Sequence, residues 1–325
     1  MLLSIIIVSY NTKDLTIQTL KSAVADINSS KLLKENTEIF VVDNNSTDDS
    51  VKAVREFKLK TKVPIKVIAT GKNLGFAGGN NVVVEKSTSN LILFLNSDTI
   101  VKRGALESMV RRFDNEKLGV LASTLLNPDF TLQAQGGNFP NLLNLFFHMS
   151  MMDDLPIIGK FLPSTQHTGK NTKQTDHYTF DENLSPKNQA FKKDKLIKID
   201  WVAGTAMMLS RKAIDEFGSL DQNIFMYGED IELCLRASNH GYEVAIDPTA
   251  QIIHLKNQSS TSENAIRGEL KGYLYIYSKH QTRTQTEILK VILQLGVLLR
   301  IFVFSVIAPD AYKRQIYKNA LGDLK

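Results

Sequence analysis

Apolar residues recur along this chain with two alternating periods. Residues 5–9 form a short β-branched run, the pattern of a strand buried on both faces. Leu20, Ala23, Val24 and Ile27 then repeat at helical spacing, and residues 39–42 are a second buried run ending in Asp43-Asn44-Asn45-Ser46-Thr47-Asp48. Val51, Val54 and Phe57 mark a helix, residues 65–68 a third strand, residues 77–86 another helix and residues 91–95 a fourth strand. Leu106, Met109, Val110 and Phe113 close the series at i, i+3, i+4, i+7. Strand–helix alternation of this kind predicts βαβ units and an α/β fold whose mostly parallel sheet is flanked by helices.

Residues 140–198 interrupt the alternation, and Asn, Lys, Thr and Gln dominate from 166 to 195, as in a lid or an insertion. Strand pattern returns at 197–201 and 206–210. Ile231, Cys234, Leu235 and Ser238 share one face of a helix, and 244–246 and 251–253 read as two short strands. The apolar run 288–307 is long enough to cross a bilayer, but Lys290, Gln294 and Arg300 interrupt it from neighbouring positions around the helix. One charge near the centre of a spanning helix costs about 2.5–3.5 kcal/mol. The run therefore reads first as an amphipathic helix on a membrane surface, with Lys313, Arg314 and Lys318 facing an anionic leaflet. A true span, and a helix packed on the protein or on a second subunit, are the alternatives. A homo-oligomer stays open.

Composition narrows the class. Of 325 residues, 43% are hydrophobic and 22% charged, which excludes a mainly disordered chain. The net charge of +5 suits an anionic ligand or membrane surface, and no nucleic-acid partner is expected. Cys234 is the single cysteine, so an internal disulfide framework and a cysteine-rich zinc site are both excluded, and its apolar helical position reads as core. The first ten residues lack a basic segment and a small-residue cleavage site; a strand is expected there rather than a signal peptide.

Four polar groups carry candidate chemistry. Asp43 and Asp98 follow buried strands, where open α/β sheets bind ligands, although either acid alone could be a turn or cap residue. Asn96-Ser97-Asp98 puts one acid at the lip of the sheet, enough for Mg²⁺ or Mn²⁺ when substrate phosphates complete the shell. Glu229 and Asp230, after Phe225-Met226-Tyr227-Gly228, open a helix; they suit its dipole, and either could take a proton from a hydroxyl nucleophile. His254 ends an apolar strand and is either a satisfied core or surface histidine or a second metal ligand. The glycine-rich stretch 71–81 precedes a helix but matches neither the Walker A nor the dinucleotide pattern.

Taken together, these segments resemble glycosyltransferase family 2, with its Rossmann-like GT-A fold, and within it the rhamnosyltransferase-like branch. The resemblance covers about residues 1–260. It rests on Ser9-Tyr10-Asn11 after the first strand, on Val41 to Asp48, on Asn73 to Asn80, on Trp201 to Met207, on Phe225 to Arg236, and on His254 with Ser259 and Ser260. It implies that Asp43 pairs with the nucleotide base, that Ser9, Tyr10 and Asn11 line the nucleoside pocket, and that Asn73, Gly75, Asn80 and Asn96 complete the donor site. Asp98 and His254 would hold the metal. Asp230, with Glu229 beside it, would be the general base of an inverting single displacement, and Trp201 and Gly204 would border the acceptor.

The implied reaction moves one sugar from TDP-rhamnose, or from a UDP-sugar, to a lipid-linked or polysaccharide acceptor in bacterial surface-glycan synthesis. The implied location is cytoplasmic, on the inner face of the membrane. Residues 1–265 would form the catalytic domain and 266–325 a helical, membrane-associating extension. Asn96 stands where the family's first metal-binding acid is common, and Ser97 where proline is common. The missing acid keeps a catalytically degenerate scaffold or sugar-binding subunit as one alternative. A sugar-phosphate nucleotidyltransferase is another, opposed by the lack of an early glycine-rich, basic triphosphate loop.

Overall fold

The computed structural model describes residues 1–153, 155, 162, 165, 195–255 and 262–324. The readings of residues 166–194 and of Ser259 and Ser260 lie outside the described residues. The first seven elements follow in the predicted order: β1 (Leu3–Ser9), α1 (Lys13–Ser29), β2 (Thr37–Asp43), α2 (Ser50–Lys58), β3 (Ile65–Ala69), α3 (Gly75–Val84) and β4 (Leu91–Leu95). They are succeeded by β5 (Thr99–Val101), α4 (Ala105–Arg112), β6 (Leu118–Leu126), β7 (Gly136–Gly137) and α5 (Leu142–Met149). The second half comprises β8 (Ile197–Lys198), β9 (Trp201–Val202), β10 (Ala206–Ser210), α6 (Arg211–Phe217), α7 (Glu229–Asn239) and β11 (Glu243–His254). Helices α8 (Ser262–His280), α9 (Arg283–Phe302) and α10 (Ala311–Asp323) follow, with a π-helical turn, Val303–Ile307, extending α9.

Nine strands form one sheet in the order β3-β2-β1-β4-β10-β6-β11-β5, with β8 also paired to β11. Strands β3, β2, β1, β4, β6 and β11 run one way, whereas β10, β5 and β8 run against them. The period of two along β1 sorts its side chains. Ile5 and Ile7 join Leu20, Val54 and Met109 from α1, α2 and α4 on one face. Ile6 joins Phe94, Ala77 and Leu233 on the other, with α3 and α7. Each fully buried aliphatic side chain contributes about 1.5–3 kcal/mol.

Two strand readings change. Residues 244–246 and 251–253 belong to one strand, β11, whose register against β6 shifts between Asp247 and Gln251. Pro248 sits in that interval and has no N–H for the ladder. Residues 197–201 divide into β8, which pairs with β11, and β9, which pairs with β7. Within the interrupted region, α5 is started by Asn141, whose side chain accepts from Leu143 and Asn144 N–H while Asn144 accepts from Asn141 N–H.

Helix α9 packs on α5, with Gly296 against Met149, and buries Leu289, Leu293 and Val297 in the core. The polar residues of its stripe turn toward the protein. Arg300 is buried and donates to the α5 carbonyls of Met149 (2.6 Å) and His148 (2.8 Å), and Gln294 donates to Leu324 O (3.0 Å). Ile288, Val291, Leu295, Leu298 and Phe302 form the outward, exposed stripe.

Candidate active site

The carboxyl ends of β1, β2 and β4 meet along one sheet edge, beside a cleft of about 1220 Å³. Of the predicted residues, Tyr10, Asn73, Gly75, Asn96, Asp98, Trp201, Gly204, Glu229, Asp230 and His254 line it. Ser9, Asn11, Asp43 and Asn80 are not among its lining residues. Ser9 bonds to Thr12 and Thr16 and fastens β1 to α1. Asn11, held at φ 52°, accepts Thr47 N–H at 2.7 Å and joins the ends of β1 and β2. Asn80 is buried and donates to Phe76 O at 2.9 Å. Asp43 accepts Ser46 N–H on Oδ2 at 3.0 Å, while its buried Oδ1 has no partner among the described residues. A buried acceptor left unpaired costs about 1–3 kcal/mol, a cost that a donor hydrogen would remove.

Asn96-Ser97-Asp98 is held from below by α1. Thr12 donates to Ser97 Oγ at 3.1 Å and Thr19 to Ser97 O at 2.9 Å. Ser97 thus has a structural task. Strand β5 then turns back against the end of β11, with His254 opposite Thr99 and Leu255 N–H donating to Asp98 O at 2.9 Å. This short antiparallel pairing brings His254 Nε2 to 3.3 Å from Asp98 Oδ1. Two donor atoms held by one ion at roughly 2.1 Å sit about 3 Å apart, so the pair fits a shared divalent cation. Among the described residues no third His, Cys, Asp or Glu joins them, and further ligands would come from substrate phosphates or water.

Because β10 runs antiparallel to β4, the turn before it lies at the same edge, with Asn96 N–H donating to Thr205 O at 2.8 Å. Gly204 N–H donates to Asp230 Oδ2 at 3.2 Å, and Ile231 N–H to Asp230 Oδ1 at 2.8 Å. Trp201 is buried, its indole N–H shared between Asn138 O and Thr165 O. The two acids at the start of α7 differ in setting. Asp230 is half-buried and reaches the cleft, whereas Glu229 is buried with Oε2 unpartnered among the described residues. Burial, then the charge of Asp230, raises the Glu229 carboxyl to about 8. Burial, and the nearby charge of Glu269, also raise Asp230 above the ordinary aspartate range.

The loop carrying these acids is clasped from two sides. Gly75, at φ +71°, lies so close to Phe225 O that a Cβ would be 2.2 Å from it, and Phe76 N–H donates to Phe225 O at 3.1 Å. On the other side Gly272 of α8 abuts Tyr227 O, where a Cβ would meet the oxygen at 2.4 Å. Tyr227 and Gly228 both take positive φ to enter α7. Helix α8 consequently forms a wall of the cleft and adds Glu269 and Tyr273, whose hydroxyl donates to Glu269 at 2.8 Å. Sequence reading did not single out these two residues, nor Gln133, which bonds to His254; the Gly268-x-x-x-Gly272 spacing was the available signal for the close approach of α8.

The profile of Glycosyl transferase family 2 matches residues 4–218. Over 257 residues the chain is 21% identical to the N-acetylglucosaminyl-diphospho-decaprenol L-rhamnosyltransferase of Mycobacterium tuberculosis, spanning 74% of this chain and 75% of that protein. It is 25% identical over 212 residues to the rhamnosyltransferase WbbL of Escherichia coli K12, spanning 62% of this chain and 70% of the relative. Among solved structures, residues 1–349 of S. aureus TarS superpose with a TM-score of 0.55 at 17% identity, covering 100% of this chain and 80% of that one. The mannosyltransferase PcManGT of Pyrobaculum calidifontis, solved with GDP-Man and Mn²⁺, gives 0.57 at 12% identity, covering 99% and 84%. At these identities the structural likeness speaks to the fold alone. The sequence match over most of the chain and this shared architecture agree: the chain belongs to glycosyltransferase family 2 and is a glycosyltransferase of the GT-A fold.

Proposed function

We propose that the protein transfers a single sugar, rhamnose first among the options, from a nucleotide-diphosphate donor to a lipid-linked or polysaccharide acceptor, with inversion and with Mg²⁺ or Mn²⁺. The observation that carries this reading is the cleft shared by the Asp98–His254 pair and by Asp230. In this reading Asp43 Oδ1 pairs with a donor N–H of the base, Tyr10 and Asn73 flank the nucleoside, and Asn96 faces the diphosphate. Asp98 and His254 would hold the divalent ion, which when bound supplies positive charge to stabilise the departing nucleoside diphosphate. Asp230 takes the proton of the acceptor hydroxyl while that oxygen bonds to the anomeric carbon. The bond from that carbon to the diphosphate oxygen breaks on the opposite face, and its electron pair leaves with the diphosphate. A raised carboxyl is a stronger base, which suits removal of an alcohol proton. Burial and the charge of Asp230 favour the neutral form of Glu229, which limits the negative charge next to Asp230.

Rhamnose as the donor sugar is supported by the two rhamnosyltransferase relatives. An acceptor carried by a lipid is supported by the outward apolar stripe of α9, with Lys313, Arg314 and Lys318 nearby. Residues 1–265 would then supply most of the catalytic groups, and 266–325 both the α8 wall and the surface that meets the inner face of the membrane. The test is transfer from labelled TDP-rhamnose, UDP-glucose, UDP-galactose and UDP-N-acetylglucosamine to a lipid-diphosphate-linked sugar, with product configuration read by NMR. Turnover of TDP-rhamnose with inverted configuration supports the proposal. Preferred use of a UDP-sugar contradicts the rhamnose assignment, and retained configuration contradicts the role of Asp230.

A further inference from the structure

Behind His254 lies a relay of amides whose orientation is fixed by backbone carbonyls. Gln133 follows β6 on a hairpin in which Asn127 N–H donates to Thr131 O at 2.8 Å and Gln133 N–H to Leu125 O at 2.9 Å. Its side chain is 5% exposed. A backbone carbonyl can only accept. Leu132 O therefore takes the Asn127 amide N–H (3.3 Å) and turns Asn127 Oδ1 toward Gln133 Nε2, at 2.9 Å. His254 O likewise accepts from Gln133 Nε2 at 3.3 Å. Both constraints aim Gln133 Oε1 at His254 Nδ1, 2.7 Å away. An amide oxygen has no hydrogen to give, so the hydrogen of this bond resides on Nδ1. A neutral imidazole with its hydrogen on Nδ1 carries a bare lone pair on Nε2, the nitrogen 3.3 Å from Asp98 Oδ1.

We propose that Gln133 is a positioning residue that holds His254 in the Nδ1–H tautomer and so presents Nε2 beside Asp98 as a preformed cation-binding pair. This rests on the reading of that pair as a divalent-ion site. Two electron-rich atoms so close repel each other, and a cation between them relieves that repulsion. The Asn127–Gln133 relay prevents His254 from escaping it by moving its hydrogen to Nε2. Partners that orient a metal-binding histidine typically change metal affinity 10–100-fold when removed.

Two measurements separate the claims. In ¹⁵N-histidine-labelled, metal-free protein, with the His254 signals assigned through a His254→Gln variant, wild type is expected to show hydrogen on Nδ1 and a bare Nε2. Gln133→Met, close in volume, is expected to move the signal toward the Nε2–H tautomer, because it offers no acceptor to Nδ1. In calorimetric Mn²⁺ titrations, with TDP or UDP present to complete the shell, Gln133→Met should bind the ion about 10–100-fold more weakly than wild type. Thermal melting confirms that each variant is folded. Hydrogen on Nε2 in the wild type, or undiminished Mn²⁺ affinity in folded Gln133→Met, overturns the proposal. Failure of wild type itself to bind Mn²⁺ overturns the divalent-ion reading, and the tautomer spectrum still decides whether Gln133 sets His254.

Discussion

Replacing Asp230 by asparagine keeps the side chain's size and removes its ability to take a proton. The carboxylate accepts Ile231 N–H at 2.8 Å and Gly204 N–H at 3.2 Å, one on each oxygen. Asparagine has a single accepting oxygen, so it retains the shorter bond and turns its NH₂ toward Gly204 N–H. Losing that bond costs about 1–3 kcal/mol. Removing a charge that burial and Glu269 both oppose offsets part of it. The net change in stability should stay within about 2 kcal/mol, a few degrees in melting temperature. A general base contributes about 10²–10⁴ in rate, or roughly 3–5.5 kcal/mol at 1.36 kcal/mol per tenfold. Asp43, assigned to the nucleotide base, ends β2, whereas Asp230 lies in α7, so donor affinity should change less than about threefold. Single-turnover transfer measured beside calorimetric donor binding distinguishes these terms. A loss of donor affinity equal to the loss of rate, or a rate reduced by less than about tenfold in a folded variant, refutes the base assignment.

Asp43→Ala removes the orphaned Oδ1 acceptor and should weaken donor binding about 10–100-fold with little change in the rate of bound donor, read by titration and single-turnover kinetics. The acid limb of kcat/KM should lie above the ordinary aspartate value of 3.8, because Asp230 is raised and activity is lost as pH falls through that raised value. Glu269→Gln should move the limb downward, and a limb at or below 3.8 in wild type contradicts the assignment. Gly272→Val forces a side chain against Tyr227 O and should cost about 1–3 kcal/mol in urea unfolding, together with reduced transfer. Unchanged stability and activity would show that α8 does not clasp the acid-bearing loop.

The nucleotide half of the fold was legible because β1, β2 and β4 are buried on both faces and read as unbroken apolar runs with polar ends. Strand β6 was not singled out, since Ser123 and Thr124 dilute its pattern although both are fully buried. Asp98 and His254 were each identified as candidates, but their proximity was not derivable from spacing. It depends on β5, three residues long, pairing with the end of an irregular β11. The polar residues of α9 were legible as a stripe, yet the direction it faces depends on α5, whose carbonyls Arg300 caps and whose apolar residues lie in a stretch that breaks the periodic pattern. The same holds for Glu269 and Tyr273. A helical pattern does not reveal that two glycines bring α8 onto the loop of Glu229 and Asp230.

The central claim is that Asp98 and His254 hold a divalent ion against the diphosphate of a nucleotide sugar. Its most direct test is a calorimetric titration of TDP-rhamnose and UDP-sugars into wild type and Asp98→Ala, with Mn²⁺, with Mg²⁺ and with chelator. One nucleotide sugar binding to wild type only with the ion present, and lost at least about tenfold in Asp98→Ala, is the predicted result. Donor binding that is indifferent both to chelator and to the loss of Asp98 would contradict the account.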